Sequence, residues 1–456
     1  MGIYQNTTDK HIVFNNVSLD PAKKYFVYAA SEYGSSQPIP QHLTGYDPIF
    51  ICCVNPKYAP DNFIYLEKRE RDPGPRTTAH LSDADFFKST PFYEIILKSQ
   101  KIQNLFTQLA DKQGELYVKT FRNDSSFAPQ FQNPRIKCFG LTPEQSDKLN
   151  DKTYQYQFLK DAVPVPNHLI VPAKDAVANF TQVASPYGVF VAGAYGSSGS
   201  TTFIAKTPTE LEEKLKLKEF LPDNNIVLAE CLKLKASVSL DILIANPNEV
   251  YPYGIFDQLF NPQNPQEYVG NRYPSLLTTQ ERSDITEIGR VVGKMLAEQG
   301  VRGYVSIDVN EDEQDRIFFG EINARYAGST AERFLLMELT RPSKHPTIMD
   351  LEKMAIEYGT LNRFKLWDEP QGIVLKRKEY LAEQDATITN LGPWSIPAEQ
   401  QIFQNRTAGI IGNAPAGRRL KHNTIIGKMV SVSDSVEKCD SQAQEIEKQF
   451  LRSVRY

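Results

Sequence analysis

Residues 303–330 read GYVSIDVNEDEQDRIFFGEINARYAGST, and they constrain the fold more than any other stretch. Two runs with period-two alternation, YVSIDVN and RIFFGEINARY, flank the polar turn EDEQD, the pattern of a β-hairpin. Side chains alternate faces along a strand, so Ser306 and Asp308 share one face while Ile307 and Val309 share the other. On the second strand Glu321, Asn323 and Arg325 share a face, with Ile322 and Ala324 opposite. A register centred on the turn sets Asp308 across from Glu321 and Ser306 across from Asn323, with side chains ~5 Å apart. Two carboxylates and an amide oxygen on one wet face repel one another unless a cation sits between them. Magnesium suits such a hard-oxygen set, because it takes one or two carboxylates and completes its octahedron with water and phosphate oxygens. A charged hairpin face turned to solvent is the plain alternative.

Upstream, residues 186–206 read PYGVFVAGAYGSSGSTTFIAK, a small-residue turn between two β-branched and aromatic runs. It is not a Walker loop, since no lysine follows Gly199. It is not a dinucleotide fingerprint either, since Gly193, Gly196 and Gly199 have the wrong spacing and a strand follows them. Its backbone N–H groups, with Ser197, Ser198 and Ser200, suit phosphate, and its glycines permit close approach.

Strand runs at KKYFVYAA, DPIFICCVN and ELYVKTF alternate with a helical stretch that stops at Gly114, which predicts a parallel α/β layer over residues 1–140. Thr142-Pro143-Glu144 starts a helix, with Thr142 as N-cap, that should end before Pro164. Strands predominate over the next unit, residues 141–345. Residues 346–456 form a C-terminal portion, with a helix at TIMDLEKMAIEYG and a strand-rich tail. The fold class expected is therefore mixed α/β and α+β.

Composition narrows the function classes. A net charge of −4, with 41% hydrophobic and 23% charged residues, argues against charge-driven binding to nucleic acid or anionic membrane. No apolar run approaches the ~20 residues that span a bilayer. The first residues show no secretory pattern, and Asn6 stands where a myristoylation signal needs Ser or Thr. Five cysteines without paired spacing suggest reduced thiols and a cytoplasmic setting. The six histidines form no zinc motif.

The hairpin and the loop together resemble the ATP-grasp ligases over residues 145–340. That family carries an Asp near the end of one strand and Glu-x-Asn-x-Arg on the next, matched here by Asp308 and by Glu321, Asn323 and Arg325. The resemblance implies ATP with two magnesium ions, manganese being able to substitute, held by Asp308, Glu321 and Asn323. It implies phosphate contacts from Tyr195, Gly196, Ser197, Ser198, Gly199 and Ser200 and from Lys152 at a helix start. Glu230, Cys231 and Leu232 would form the hinge that reads the adenine. Arg325 would clamp the substrate carboxylate, and Arg272 and Tyr273 would line the acceptor pocket, which the N-terminal layer and tail complete. Two departures stand out. Val191 and Ala192 occupy the place of a phosphate-binding lysine, and Ser237 that of a ribose-binding acid, with Asp241 nearby.

The activity implied is ligation of a small carboxylic acid to an amine or amino acid through an acyl phosphate, releasing ADP and phosphate. Homodimer formation is compatible with it. A biotin-dependent carboxylase shares the hairpin motif, but no Met-Lys-Met biotin site occurs in the chain. A non-catalytic nucleotide sensor is the third reading, favoured by the missing lysine and opposed by the intact metal triad.

Overall fold

The computed structural model describes residues 12–15, 17–30, 42–52, 62–66, 91–196, 201–261, 264–381, 386–387, 399–412, 419–420 and 425–453. Strands β1 (Ile12–Asn15), β2 (Lys24–Ala29), β3 (Tyr46–Cys52), β4 (Phe63–Leu66), β5 (Leu116–Thr120) and β6 (Ile136–Cys138) form one sheet, in the order β1-β4-β3-β2-β5-β6. Strands β2 to β6 run parallel, as expected, and β1 adds antiparallel to β4 at the edge. The helix expected before Gly114 is two helices, α1 (Pro91–Lys98) and α2 (Gln100–Gln113). Ser99 divides them because its hydroxyl accepts the Ile102 N–H and so starts a new helix. Their apolar faces close over one side of this sheet, burying Ile96, Ile102, Phe106 and Leu109 against Val27, Ile49 and Val118.

The next unit begins with α3 (Pro143–Asn150) and α4 (Lys152–Leu159). Thr142 and Gln145 form the capping box of α3, and Asp151 interrupts the single helix expected here by capping α4. β7 (His168–Pro172), α5 (Phe180–Val183), β8 (Val189–Gly193), β9 (Thr202–Ala205), α6 (Pro208–Leu217) and β10 (Asn225–Glu230) follow. Their strands make a four-stranded antiparallel sheet in the order β7-β10-β8-β9.

The largest sheet is built from β11 (Leu234–Asn246), β12 (Glu249–Asn261), β13 (Asn264–Tyr273), β14 (Gly303–Asp312), β15 (Ile317–Asn323), β16 (Val374–Leu381), β18 (Ala408–Gly412) and β20 (Ile425–Ser433). It has eight strands in the order β15-β14-β11-β12-β13-β16-β20-β18. The helices interleaved with them are α7 (Thr279–Glu298), α8 (Thr330–Leu339), α9 (Ile348–Tyr358), α10 (Glu399–Asn405) and α11 (Val436–Ser453), and β17 (Ala386–Thr387) pairs separately with β19 (Arg419–Leu420). The C-terminal strands thus extend the central sheet itself, through the pairing of β13 with β16.

The two faces of this sheet have different partners. Val238, Leu240, Ile242, Val305, Ile307 and Val309 bury against Ile285, Ile288 and Val292 of α7. On the other face Leu243, Tyr253 and Tyr304 pack with Phe334 of α8, Met349 of α9, and Phe26, Phe50 and Tyr117 of the N-terminal sheet. Asp308 belongs to the face of Tyr304 and Ser306, so it opens toward the N-terminal unit. Among the described residues no helix is long and apolar enough to cross a membrane.

Candidate functional site

The hairpin pairs in the expected register, with Asp308 opposite Glu321 and Ser306 opposite Asn323. A bulge between Asp308 and Val309 shifts the pairing so that Val309 faces Phe319. The face differs from expectation in being covered rather than open to water. Ser306 retains 1% of its exposure and Asn323 6%, while Asp308 and Glu321 are half-buried. The cover is a set of polar side chains. Asp308 accepts hydrogen bonds from Gln258 Nε2 at 2.9 Å on one oxygen and from Asn323 Nδ2 at 3.1 Å on the other. Arg325 Nη1 donates to Asn323 Oδ1, and the guanidinium lies 5.6 Å from the ring of Phe121, at the end of β5.

Helix α4 brings the other motifs to this hairpin. Asp151 Oδ1 accepts the N–H groups of Thr153 and Tyr154, which fixes Lys152 as the first helical residue. Lys152 Nζ then lies 2.9 Å from Glu321 Oε2, and its backbone N–H donates to the Ala194 carbonyl at 2.8 Å, at the base of the serine-glycine loop. One turn on, the buried Gln155 pairs with the backbone of edge strand β15. It accepts from Ile322 N at 2.8 Å and donates to Ile322 O at 2.9 Å. The edge strand is therefore satisfied by a side chain between the two candidate ligands Glu321 and Asn323.

These contacts separate the two carboxylates electrostatically. Burial, and then the Glu321 charge, push Asp308 up to about 7, against the hydrogen bonds of Gln258 and Asn323 and the charge of Arg325. Burial also pushes Glu321 up, but the adjacent Lys152 ammonium outweighs it, with help from Arg325 and Asn323, and holds Glu321 below its ordinary value. One acid is thus ionised near neutrality while the other retains much of its proton. A divalent cation would relieve that conflict, and the donor set of two carboxylates and one amide oxygen fits magnesium.

The loop candidates divide. Ser197, Ser198, Gly199 and Ser200 lie outside the described residues. β8 and β9 flank them and pair antiparallel, with Ala192 opposite Thr202. At the base, Thr201 Oγ1 donates to the Tyr195 carbonyl at 2.8 Å. Gly196 is obligatory there, since an added Cβ would sit 2.1 Å from Thr201 Oγ1. Val191 points into the apolar core beneath the small sheet, and Ala192 faces Tyr156, Val227 and Ala229 on its other side.

At the end of β10, Glu230 Oε1 accepts the Asn167 N–H at 2.9 Å. Cys231 has both backbone groups occupied, its N–H by the Gly188 carbonyl at 3.2 Å and its C=O by the Ser185 hydroxyl at 2.6 Å. The Leu232 N–H has no partner among the described residues.

Two expectations need correction. Arg272 is not brought to the hairpin: it lies within β13 opposite Asp257 and Lys376, and Lys376 reaches Asp440 of α11. Its neighbour Asn271, opposite Gln258, is the residue on the Asp308 face, and strand alternation turns Arg272 away. Tyr273 is a core residue, its ring tilted against Phe256 and its hydroxyl donating to the Pro370 carbonyl at 2.9 Å. Asp241 cannot stand in for a ribose acid, because it is buried and bound to Arg333 at 2.8 Å. Gln258 and Gln155 are site residues that the sequence reading missed. Gln258 carried a weak signal, the alternation of FDQLF; Gln155 had none, because its partner lies on a distant strand.

No family model and no curated protein sequence matches this chain. Solved structures do. The biotin carboxylase domain of Hydrogenobacter thermophilus 2-oxoglutarate carboxylase, a dimer with MgADP, ADP and bicarbonate, superposes with a TM-score of 0.64 at 14% identity, over 95% of this chain and 91% of that one. The L-amino acid ligase of Bacillus licheniformis gives 0.62 at 13% identity, over 95% and 99%. The N5-carboxyaminoimidazole ribonucleotide synthetase of Thermotoga maritima gives 0.59 at 14%, over 93% and 98%. The chain has the ATP-grasp fold. The small antiparallel sheet carries Glu230 and the two strands that flank the serine-glycine loop, the large sheet carries the hairpin, and α4 touches both.

Proposed function

We propose that this protein is an enzyme, an ATP-dependent ligase that joins a carboxylic acid to an amine or amino acid. The observation that carries the reading is the convergence of Lys152, Asp308, Glu321, Asn323 and Arg325 from three separate segments onto one face. A substrate carboxylate oxygen would attack the γ-phosphorus of ATP, breaking its bond to the β–γ bridging oxygen and giving an acyl phosphate and ADP. The amine nitrogen would then add to the acyl carbon and expel phosphate, leaving an amide.

Asp308, Glu321 and Asn323 would hold magnesium, two ions in all with manganese as a substitute, which supplies neutralisation of phosphate charge. Lys152, freed from Glu321 as the cation takes over that carboxylate, would turn its ammonium to a phosphate oxygen. Arg325, braced between Asn323 and Phe121, would hold the acid and then the tetrahedral oxyanion through its planar fork. Loop residues 195–200 would cover the phosphates, and Leu232 N–H, beside Glu230 and Cys231, would bond the adenine. A homodimer is compatible with this arrangement, and the Hydrogenobacter domain is a dimer in its crystal structure.

The test is a phosphate-release screen of acid–amine pairs with ATP and magnesium, followed by labelling the acid carboxylate with heavy oxygen. The reading predicts ADP and a phosphate that carries one labelled oxygen. AMP as product, or unlabelled phosphate during amide formation, refutes it. Phosphate release that needs bicarbonate points instead to a carboxylase, and nucleotide binding without turnover to a sensor.

A further inference from the structure

The Ser237 hydroxyl is committed to a side chain, and that commitment reaches Asp308. Ser237 Oγ donates to Gln258 Oε1 at 2.9 Å, and Gln258 Nε2 donates to Asp308 Oδ1 at 2.9 Å. A carbonyl oxygen carries no proton, so the hydroxyl must be the donor, and the amide nitrogen is then turned toward the carboxylate. With Asp308 ionised, as a metal ligand must be, the opposite rotamer would set the Gln258 carbonyl against the Asp308 oxygens, acceptor against acceptor.

The strands hold this arrangement in place. Ser237 and Ser239 are alternate residues of β11, and Ser239 pairs directly with Asp308. Gln258 reaches over β11 from β12, where it pairs with Asn271. Ser237 is 8% exposed, so little water competes for its hydroxyl. The second Asp308 oxygen has its own donor, Asn323 Nδ2 at 3.1 Å, and each oxygen keeps a lone pair for a cation.

We infer that Gln258 is a positioning residue for Asp308 and that Ser237 sets its orientation. The position that lacks a ribose-binding acid therefore serves the metal face instead. This rests on the reading of Asp308 as a metal ligand.

Manganese, titrated in the presence of ADP and followed by electron paramagnetic resonance, tests the inference without turnover. Removing an outer partner of a metal ligand weakens binding about tenfold or more, and Ser237→Ala and Gln258→Leu should each do so. Ser237→Thr keeps the hydroxyl and should bind within about twofold of the parent, well inside that loss. The bound-manganese spectrum should broaden in the first two variants and not in the third, a change that a purely structural role would not produce.

Asp308→Asn separates the two readings. If it abolishes manganese binding while Ser237→Ala and Gln258→Leu bind like the parent, the relay is overturned and the metal site stands. If Asp308→Asn binds as tightly as the parent, or the parent binds no manganese, the metal reading fails and takes the relay with it. If Ser237→Thr fails as Ser237→Ala does, the hydroxyl is not the determinant, and the role assigned to Ser237 is overturned.

Discussion

Replacing Asp308 by asparagine should stabilise the metal-free protein at alkaline pH and destabilise it at acid pH. In the folded chain Asp308 is raised from 3.8 to about 7. The raised acid favours folding at pH values below 3.8, and that contribution is lost as pH climbs through about 7. The difference between 3.8 and 7 corresponds to roughly 4 kcal/mol at about 1.36 kcal/mol per pH unit. Water reaches the half-buried carboxylate, so about half of that, ~2 kcal/mol, is the working figure.

Asparagine brings no charge but costs a contact. Asp308 accepts one bond on each oxygen, from Gln258 and from Asn323. An amide presents an N–H group to one of those donors, a loss of about 1 kcal/mol. The variant should therefore lie ~1 kcal/mol below the parent at pH 4 and ~1 kcal/mol above it at pH 8, the difference growing between those limits. The assay is denaturant or thermal unfolding at matched pH, without nucleotide or divalent cation. Comparing two chains at each pH cancels other titrating groups, such as Asp147, which burial raises to about 6. Adding magnesium and ADP at pH 8 should then stabilise the parent and not the variant. A stability difference that stays constant with pH, or that moves against the variant as pH rises, would refute the reasoning.

Arg325→Lys retains charge but loses the planar fork, so kcat should fall about 100-fold with nucleotide affinity near that of the parent, measured by steady-state kinetics and ADP titration. Lys152→Met removes the partner of Glu321 and should lower turnover about 100-fold or more, while the Glu321 carboxyl, followed by carbon NMR, moves up toward the range of Asp308. Gln155→Leu strands the Ile322 N–H and C=O at a buried edge and should cost about 3 kcal/mol in urea unfolding. Hydrogen exchange at Leu232 should slow when ADP and magnesium are added, and equal exchange with and without them would remove the hinge assignment.

The hairpin was legible because every determinant of its register is local. A short polar turn between two alternating runs fixes Asp308 opposite Glu321 whatever surrounds them. Helix starts at Thr142 and stops at Gly114 and Gly359 were equally legible, since caps act within a few residues. The breaks at Ser99 and Asp151 were missed because a side-chain cap inside an amphipathic run leaves the apolar periodicity unbroken. Arg272 was misread for a different reason. Its face depends on β13 being paired on both sides, with β12 and with β16, and β16 is more than 100 positions away in the sequence.

The same distinction explains why the polar cover of the site was invisible. Gln258 and Gln155 contain no chemistry that marks them, Ser237 stands out only as a missing acid, and each joins the polar cover only through a partner on a separate element. A carboxylate pair can be found from spacing, but what decides its charge state is what closes over it. Here Lys152 comes from a helix some 170 residues upstream of Glu321, and it makes Glu321 the ionised member of the pair. For Asp308, burial and then the neighbouring Glu321 charge outweigh the hydrogen bonds of two neutral amides and the charge of Arg325, so it retains its proton to about 7. Binding of a divalent cation must then displace that proton, and its affinity should rise with pH up to about 7 and level off above it. Calorimetry in buffers of different ionisation enthalpy measures the protons released. Near pH 6 the parent should release close to one proton per site and near pH 8 almost none, so release of equal size at both would place the titrating group elsewhere.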